Sequence, residues 1–304
     1  MKKVIGILRQ YLFQDIAWYK LLALLVYCAV LISIEYHFKL KKTWLDTLYF
    51  QDDYLLYAAL YYGLPFSLGA ILLGLIGKWK PKSWLKLVAL IVLIIIAFTL
   101  RNGFRNHREW IDLFPNNLFQ IRIANFLFLG PIWMIIPLIW WKFFDDEKRF
   151  YGCSLKNVSW SAYGLMLLAM VPLITAASFL PDFQHYYPKA RNAWPGGGAE
   201  AWHYVLYELL YGVDFVYVEL FFRGFMVMAL GKLIGKDAIV LTAVMYCTIH
   251  FGKPLGETIS SIFGALILGS LAYETRSIAG GIIVHIGIAW LMELGGFLAW
   301  IVLN

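Results

Sequence analysis

Four ionisable residues stand inside stretches that are otherwise apolar: Glu219, Arg223, His250 and His285. Glu219 and Arg223 lie four apart within DFVYVELFFRGFMVMAL. His250 closes the next apolar run, and His285 sits in the middle of the one after. An ionisable side chain at membrane depth is expensive, faces a bundle interior or a water-filled cavity, and marks function. A carboxylate and two imidazoles allow a limited chemistry. The carboxylate can act as general base on a water, while one imidazole positions or polarises and the other stabilises an oxyanion. Alternatively, two His and one Glu are a common ligand set for a catalytic divalent metal such as zinc, with a fourth position left open. Both schemes draw on Glu219, His250 and His285, and both lead to hydrolysis. The natural substrate of such a site is a membrane-associated peptide.

Each residue also has a structural reading. Glu219 precedes Arg223 on one helix face, the better orientation for an i,i+4 pair, and such a pair can simply hold a bundle together. His250 lies beside Gly252 and Pro254 and fits a helix end at an interface. Gly224 permits close helix approach. Glu208, Asp214 and Glu293 share the same spans, with Glu208 placed near the interface as a structural group.

The elements that carry these residues follow from composition. The chain has 304 residues, 61% of them hydrophobic and 15% charged. That charge content falls well below the roughly 25% of a soluble domain, and the mean hydropathy is +0.68. Apolar runs of spanning length recur throughout. The sequence predicts an all-α polytopic bundle of eight or nine transmembrane helices, near 17–36, 54–77, 84–100, 124–144, 160–181, 204–230, 237–252, 257–274 and 277–303. Pro131 and Pro137 predict kinks in the fourth. The division expected is residues 1–182 as N-terminal spans, 183–203 as a loop punctuated by Pro188, Pro195 and Gly196 to Gly198, and 204–304 as the core carrying the site. Counted from the shared ends of their helices at about 1.5 Å per residue, Glu219 lies ~17 Å deep, His250 ~20 Å and His285 ~12 Å. That agreement in depth favours a single site.

Lys and Arg fall 15 against 10 on the side shared by the N-terminus, which places that side in the cytoplasm. The formal charge of +7 belongs to these short loops; no soluble basic module with interleaved aromatics exists, which argues against a nucleic-acid partner. Cys28, Cys153 and Cys247 are scattered and form neither a metal spacing nor a disulfide framework. The first 15 residues lack a cleavage site and read as an amphipathic lead-in on the membrane. Residues 101–123 read as an interfacial amphipathic segment, with a substrate-contacting loop as the alternative. The absence of a targeting segment leaves a prokaryotic inner membrane as the simplest location.

The ordered set of motifs resembles the CPBP intramembrane proteases, the family of the CAAX prenyl endopeptidases and bacteriocin-processing (Abi) proteins. The family's Glu-Glu-x-x-x-Arg stands here as Val218-Glu219-Leu220-Phe221-Phe222-Arg223, followed by Gly224. Its aromatic-x-x-x-His stands as Tyr246-Cys247-Thr248-Ile249-His250. Its His-x-x-x-Asn stands as His285-Ile286-Gly287-Ile288-Ala289, preceded by Ser277-Ile278. The resemblance covers about residues 204–303. It implies an intramembrane endopeptidase acting on a membrane-embedded peptide or lipidated protein. Glu219 and His250 would then activate water, His285 would serve the oxyanion or a metal, and Arg223 would support them. Val218 replaces the Glu usually taken to activate water, and Ala289 replaces the Asn that helps hold the oxyanion. Asp214, four before Val218, and Glu293, four after Ala289, share the faces of the replaced residues and are the candidate substitutes. The alternative is a family member that has lost catalysis and acts as a membrane-embedded binding, regulatory or bacteriocin-immunity protein.

Overall fold

The structure is a computed structural model and describes residues 2–49, 51–103, 118–193 and 200–303. Among these every regular element is helical: α1 Lys2–Gln10, α2 Trp18–Phe38, α3 Tyr54–Gly77, α4 Trp84–Gly103, α5 Leu118–Ala124, α6 Gly130–Phe144, α7 Trp160–Ala177, α8 Pro181–Tyr186, α9 Lys189–Asn192, α10 Ala201–Glu219, α11 Val227–Ile234, α12 Asp237–Ile249, α13 Leu255–Thr275 and α14 Ala279–Leu303. A helix satisfies its own backbone groups where no water can, so an apolar chain of this kind forms helices wherever it crosses lipid.

Among the described residues seven helical runs are long and apolar enough to cross a membrane: α2, α3, α4, the run Phe119–Phe144, α7, α13 and α14. The protein is therefore an integral, multi-pass membrane protein. The two remaining expected spans are those that hold most of the site. The run from α10 to α11 carries Glu208, Asp214, Glu219 and Arg223, which lower its hydropathy. Helix α12 has 13 residues and reaches only about 20 Å at 1.5 Å per residue. It lies in the middle of the bundle, with every residue from Asp237 to Thr248 buried, packed against α13, α3, α11 and α2.

Helix ends follow local chemistry. Helices α2, α3 and α13 stop on Lys39, Lys78 and Arg276, each in the left-handed region (φ 52°, 47° and 54°), and a cation there complements the negative end of the helix dipole. Pro131 closely follows the π-helical turn Asn125–Leu129 that joins α5 to α6 in one run, and a π turn beside a proline is where a helix kinks. Pro137 lies within α6, and Pro65 and Pro172 within α3 and α7. The segment expected only to punctuate holds two short helices, α8 and α9, because Pro181 starts one and Pro188 precedes the other. Most of the stretch 101–123 and the Pro195 to Gly198 run lie outside the described residues. The lead-in helix α1 does form, and Val4 packs with Tyr163, Leu271 and Val284.

An aromatic layer joins the N-terminal helices to the helix of the site. Trp133 of α6 stacks on Phe221 at 4.9 Å between ring centroids, and Phe98 of α4 meets Phe222 at 6.1 Å. All four side chains are 0–1% exposed. Within lipid, packing of this kind rather than release from water drives helix association, and each aromatic pair adds about 0.5–1.5 kcal/mol.

Candidate active site

The chain passes from α10 to α11 through a π-helical turn, Leu220–Met226. A π turn inside an α-helix is frequently found at a functional site, and this one contains Arg223. Every residue of the turn is buried. Gly224 is required by a loop rather than by a second helix: a Cβ there would sit 2.7 Å from the carbonyl oxygen of Tyr151.

Glu219 is 0% exposed. Its Oε1 lies 2.8 Å from Nδ1 of His285 on α14 and 3.2 Å from Arg223. The arginine contact is within ion-pair distance but outside hydrogen-bond alignment, and Oε2 has no hydrogen-bond partner. Oε2 is instead packed against Gly281, whose added Cβ would come within 2.4 Å of it. The guanidinium of Arg223 lies over the ring of Tyr246 at 4.0 Å. The Tyr246 hydroxyl is 3.0 Å from Nε2 of His285, and its carbonyl oxygen accepts from Nδ1 of His250 at 2.8 Å. Phe215 covers the other face of His285 at 4.3 Å. Three helices thus supply one continuous chain of contacts, Arg223–Glu219–His285–Tyr246–His250.

The structure therefore brings together Glu219, Arg223, His250 and His285. Glu219 bonds to His285, where the sequence pairs it with His250. The neighbour of His250 is Glu257, whose Oε1 is 3.9 Å from Nε2. Glu257 is held by Lys253 at 2.7 Å and by the Tyr187 hydroxyl at 2.9 Å. Asp214 stands apart: both its oxygens take Arg101 Nη2, at 2.8 and 2.9 Å. Glu293 accepts the backbone N–H groups of Lys189 and Ala190 at 3.0 and 3.1 Å and so caps α9. Val218 and Ala289 are buried among apolar neighbours.

Glu219, His250 and His285 do not fit a metal centre in this arrangement. His285 has both ring nitrogens engaged, His250 commits Nδ1 to a carbonyl, and among the described residues no group of three or more His, Cys, Asp or Glu side chains is placed to hold an ion.

The linking role of Tyr246 and the approach of Glu257 to His250 appear only in the fold. Tyr246 was visible as the aromatic member of a motif. Lys253 and Glu257 carry the signature of an i,i+4 ion pair, but only the turn after α12 folds it back towards His250.

Fold and site together define a polytopic helical membrane protein with a buried polar centre in its C-terminal helices. Residues 200–291 match the family model described as Type II CAAX prenyl endopeptidase Rce1-like. The family resemblance of the three motifs is borne out over that stretch. No curated protein matches the chain, and no solved structure matches it.

Proposed function

We propose that the protein is an intramembrane endopeptidase that hydrolyses a peptide bond of a membrane-associated protein or peptide, and that it resides in a prokaryotic inner membrane. The observation that carries this reading is the contact chain from Arg223 to His250 within the stretch that matches a peptidase family.

His250 is the general base. With Nδ1–H donated to the Tyr246 carbonyl, Nε2 of the neutral ring keeps its lone pair. Glu257 Oε1 lies 3.9 Å from it, a separation that one water bridges with two ordinary hydrogen bonds. His250 takes a proton as the water oxygen bonds to the peptide carbonyl carbon. The proton then passes to the leaving amine as the C–N bond breaks. His285 Nε2 and the Tyr246 hydroxyl share one hydrogen between them, and turning it towards the substrate supplies an oxyanion donor. Glu219 fixes the ring and tautomer of His285, as a buried carboxylate does behind a catalytic imidazole, and Arg223 balances its charge. Asp214, bound by Arg101, and Glu293, which caps α9, take no part.

The test is cleavage of a panel of membrane peptides by purified protein in liposomes. His250→Ala is expected to lower the rate about 10²–10⁴-fold, the usual contribution of a general base, with Glu219→Gln also impaired. If wild type leaves every peptide intact while the Val218→Glu, Ala289→Asn double variant cuts them, the natural protein binds rather than cleaves.

A further inference from the structure

The loop 145–159 between α6 and α7 encloses a recess of about 230 Å³ on the face that carries the N-terminus. Its walls include Lys148, Arg149, Ser154, Lys156, Asn157 and Arg276. The acid on its rim, Glu147, already answers Arg276 at 2.5 Å and Lys232 at 3.3 Å. Among the described residues Lys148 and Lys156 have no side-chain partner, and Arg149 reaches only the Ser154 hydroxyl, at 3.3 Å. Three cations and a hydroxyl therefore surround this space, while the acids beside it, Asp145, Asp146 and Glu147, gather on Lys232 and Arg276.

The height of the recess identifies the anion. Phe143 and Phe144 end α6, Trp160 begins α7, and Leu155 lies between them; these four are 48–73% exposed. Large apolar and aromatic side chains exposed at the ends of spanning helices mark the membrane–water boundary. A recess set among them opens at the level of lipid phosphates, where each nearby Lys or Arg gains from an anionic leaflet. The loop is also built rather than loose. Gly152 and Asn157 hold positive φ (73° and 63°). Ile278 N–H donates to the Gly152 carbonyl at 3.0 Å, and the Ser277 hydroxyl donates to the Ser154 carbonyl. Both anchors lie at the start of the helix that carries His285, and Tyr151 abuts Gly224 beside Arg223.

We infer that this recess binds a phosphate group, that of an anionic phospholipid headgroup, and that its occupancy steadies the loop against the N-terminal ends of the site. This is independent of whether the protein cleaves peptides.

The probes are phosphatidylglycerol, phosphatidylcholine, glycerol 3-phosphate and inorganic phosphate, each titrated into full-length protein in neutral detergent. Thermal unfolding and native mass spectrometry are the readouts. Phosphatidylglycerol should raise the Tm saturably with one retained lipid per chain, and phosphatidylcholine should not. A matching shift with inorganic phosphate or glycerol 3-phosphate at higher concentration shows that the phosphate itself is recognised; a shift with lipid alone shows that the acyl chains are needed to deliver it. Lys148→Gln, Arg149→Gln, Lys156→Gln together should weaken the lipid effect at least tenfold. The control Lys80→Gln, Lys82→Gln, Lys86→Gln, which removes as much charge elsewhere on that face, should leave it intact. If the triple variant fails to fold, Lys156→Gln alone should weaken binding threefold or more. Equal loss in both triple variants reduces the effect to diffuse charge, and no saturable shift with any anion removes the site; either result overturns the inference.

Discussion

Oε1 of Glu219 on α10 meets Nδ1 of His285 on α14 at 2.8 Å, and the same oxygen faces Arg223 at 3.2 Å. A buried carboxylate thus has two partners of different kinds. Removing one member of a buried ion pair leaves an unpaired charge and costs about 3–5 kcal/mol, whereas replacing both with apolar groups of similar size is often neutral. Glu219→Leu alone should therefore lower thermal stability sharply, and Glu219→Leu with Arg223→Met should recover most of it. In that paired background His285→Ala should cost less than it does in wild type. The gap is a coupling energy of about 0.5–3 kcal/mol, as for contacting residues, measured by thermal unfolding in detergent.

Gly281 is placed so that a methyl group would come 2.4 Å from Glu219 Oε2. Gly281→Ala should displace the carboxylate, break its bond to His285 and destabilise by about 1–3 kcal/mol, as overpacking does. Gly264, also within a spanning helix, has open space at its Cβ. Gly264→Ala should instead stabilise by up to about 1 kcal/mol, the helix propensity difference. Equal Tm changes in the two variants would contradict this placement of Gly281.

Much of this architecture is legible in the sequence. Apolar runs set the spans because length and hydropathy are local properties. Glu219, Arg223, His250 and His285 are conspicuous because ionisable groups are costly where they stand. The π turn at Leu220–Met226 leaves no mark, since no residue type demands it. The Arg101–Asp214 pair joins residues 113 apart and depends on how α4 meets α10, which no periodicity encodes. Tyr246 is one aromatic among 54, from 13 Trp, 19 Tyr and 22 Phe, and only its contacts with Arg223 and His285 distinguish it.

The donor set around His285 is satisfied within the protein, because Glu219 and the Tyr246 hydroxyl occupy its two nitrogens. Dialysis against EDTA should leave both Tm and peptide cleavage unchanged. A fall in either that is restored by zinc would require His285 to release Tyr246 and would assign Glu219, His250 and His285 as ligands.

Asp214 separates two accounts of the missing acid at Val218. It lies four residues earlier on the same helix, so by spacing alone it could stand in as the carboxylate that activates water. Arg101, however, holds both its oxygens, at 2.8 and 2.9 Å, and lies over Trp133 at 5.4 Å, which ties the pair to the aromatic layer. Both side chains of the pair are 15% exposed, so breaking it should cost less than breaking the fully buried Glu219–Arg223 pair. Asp214→Asn and Arg101→Met should therefore lower Tm by similar, moderate amounts and leave cleavage per folded molecule within a fewfold of wild type. If Asp214→Asn abolishes cleavage at unchanged Tm while Arg101→Met does not, Asp214 is the base and His250 is demoted to a positioning residue.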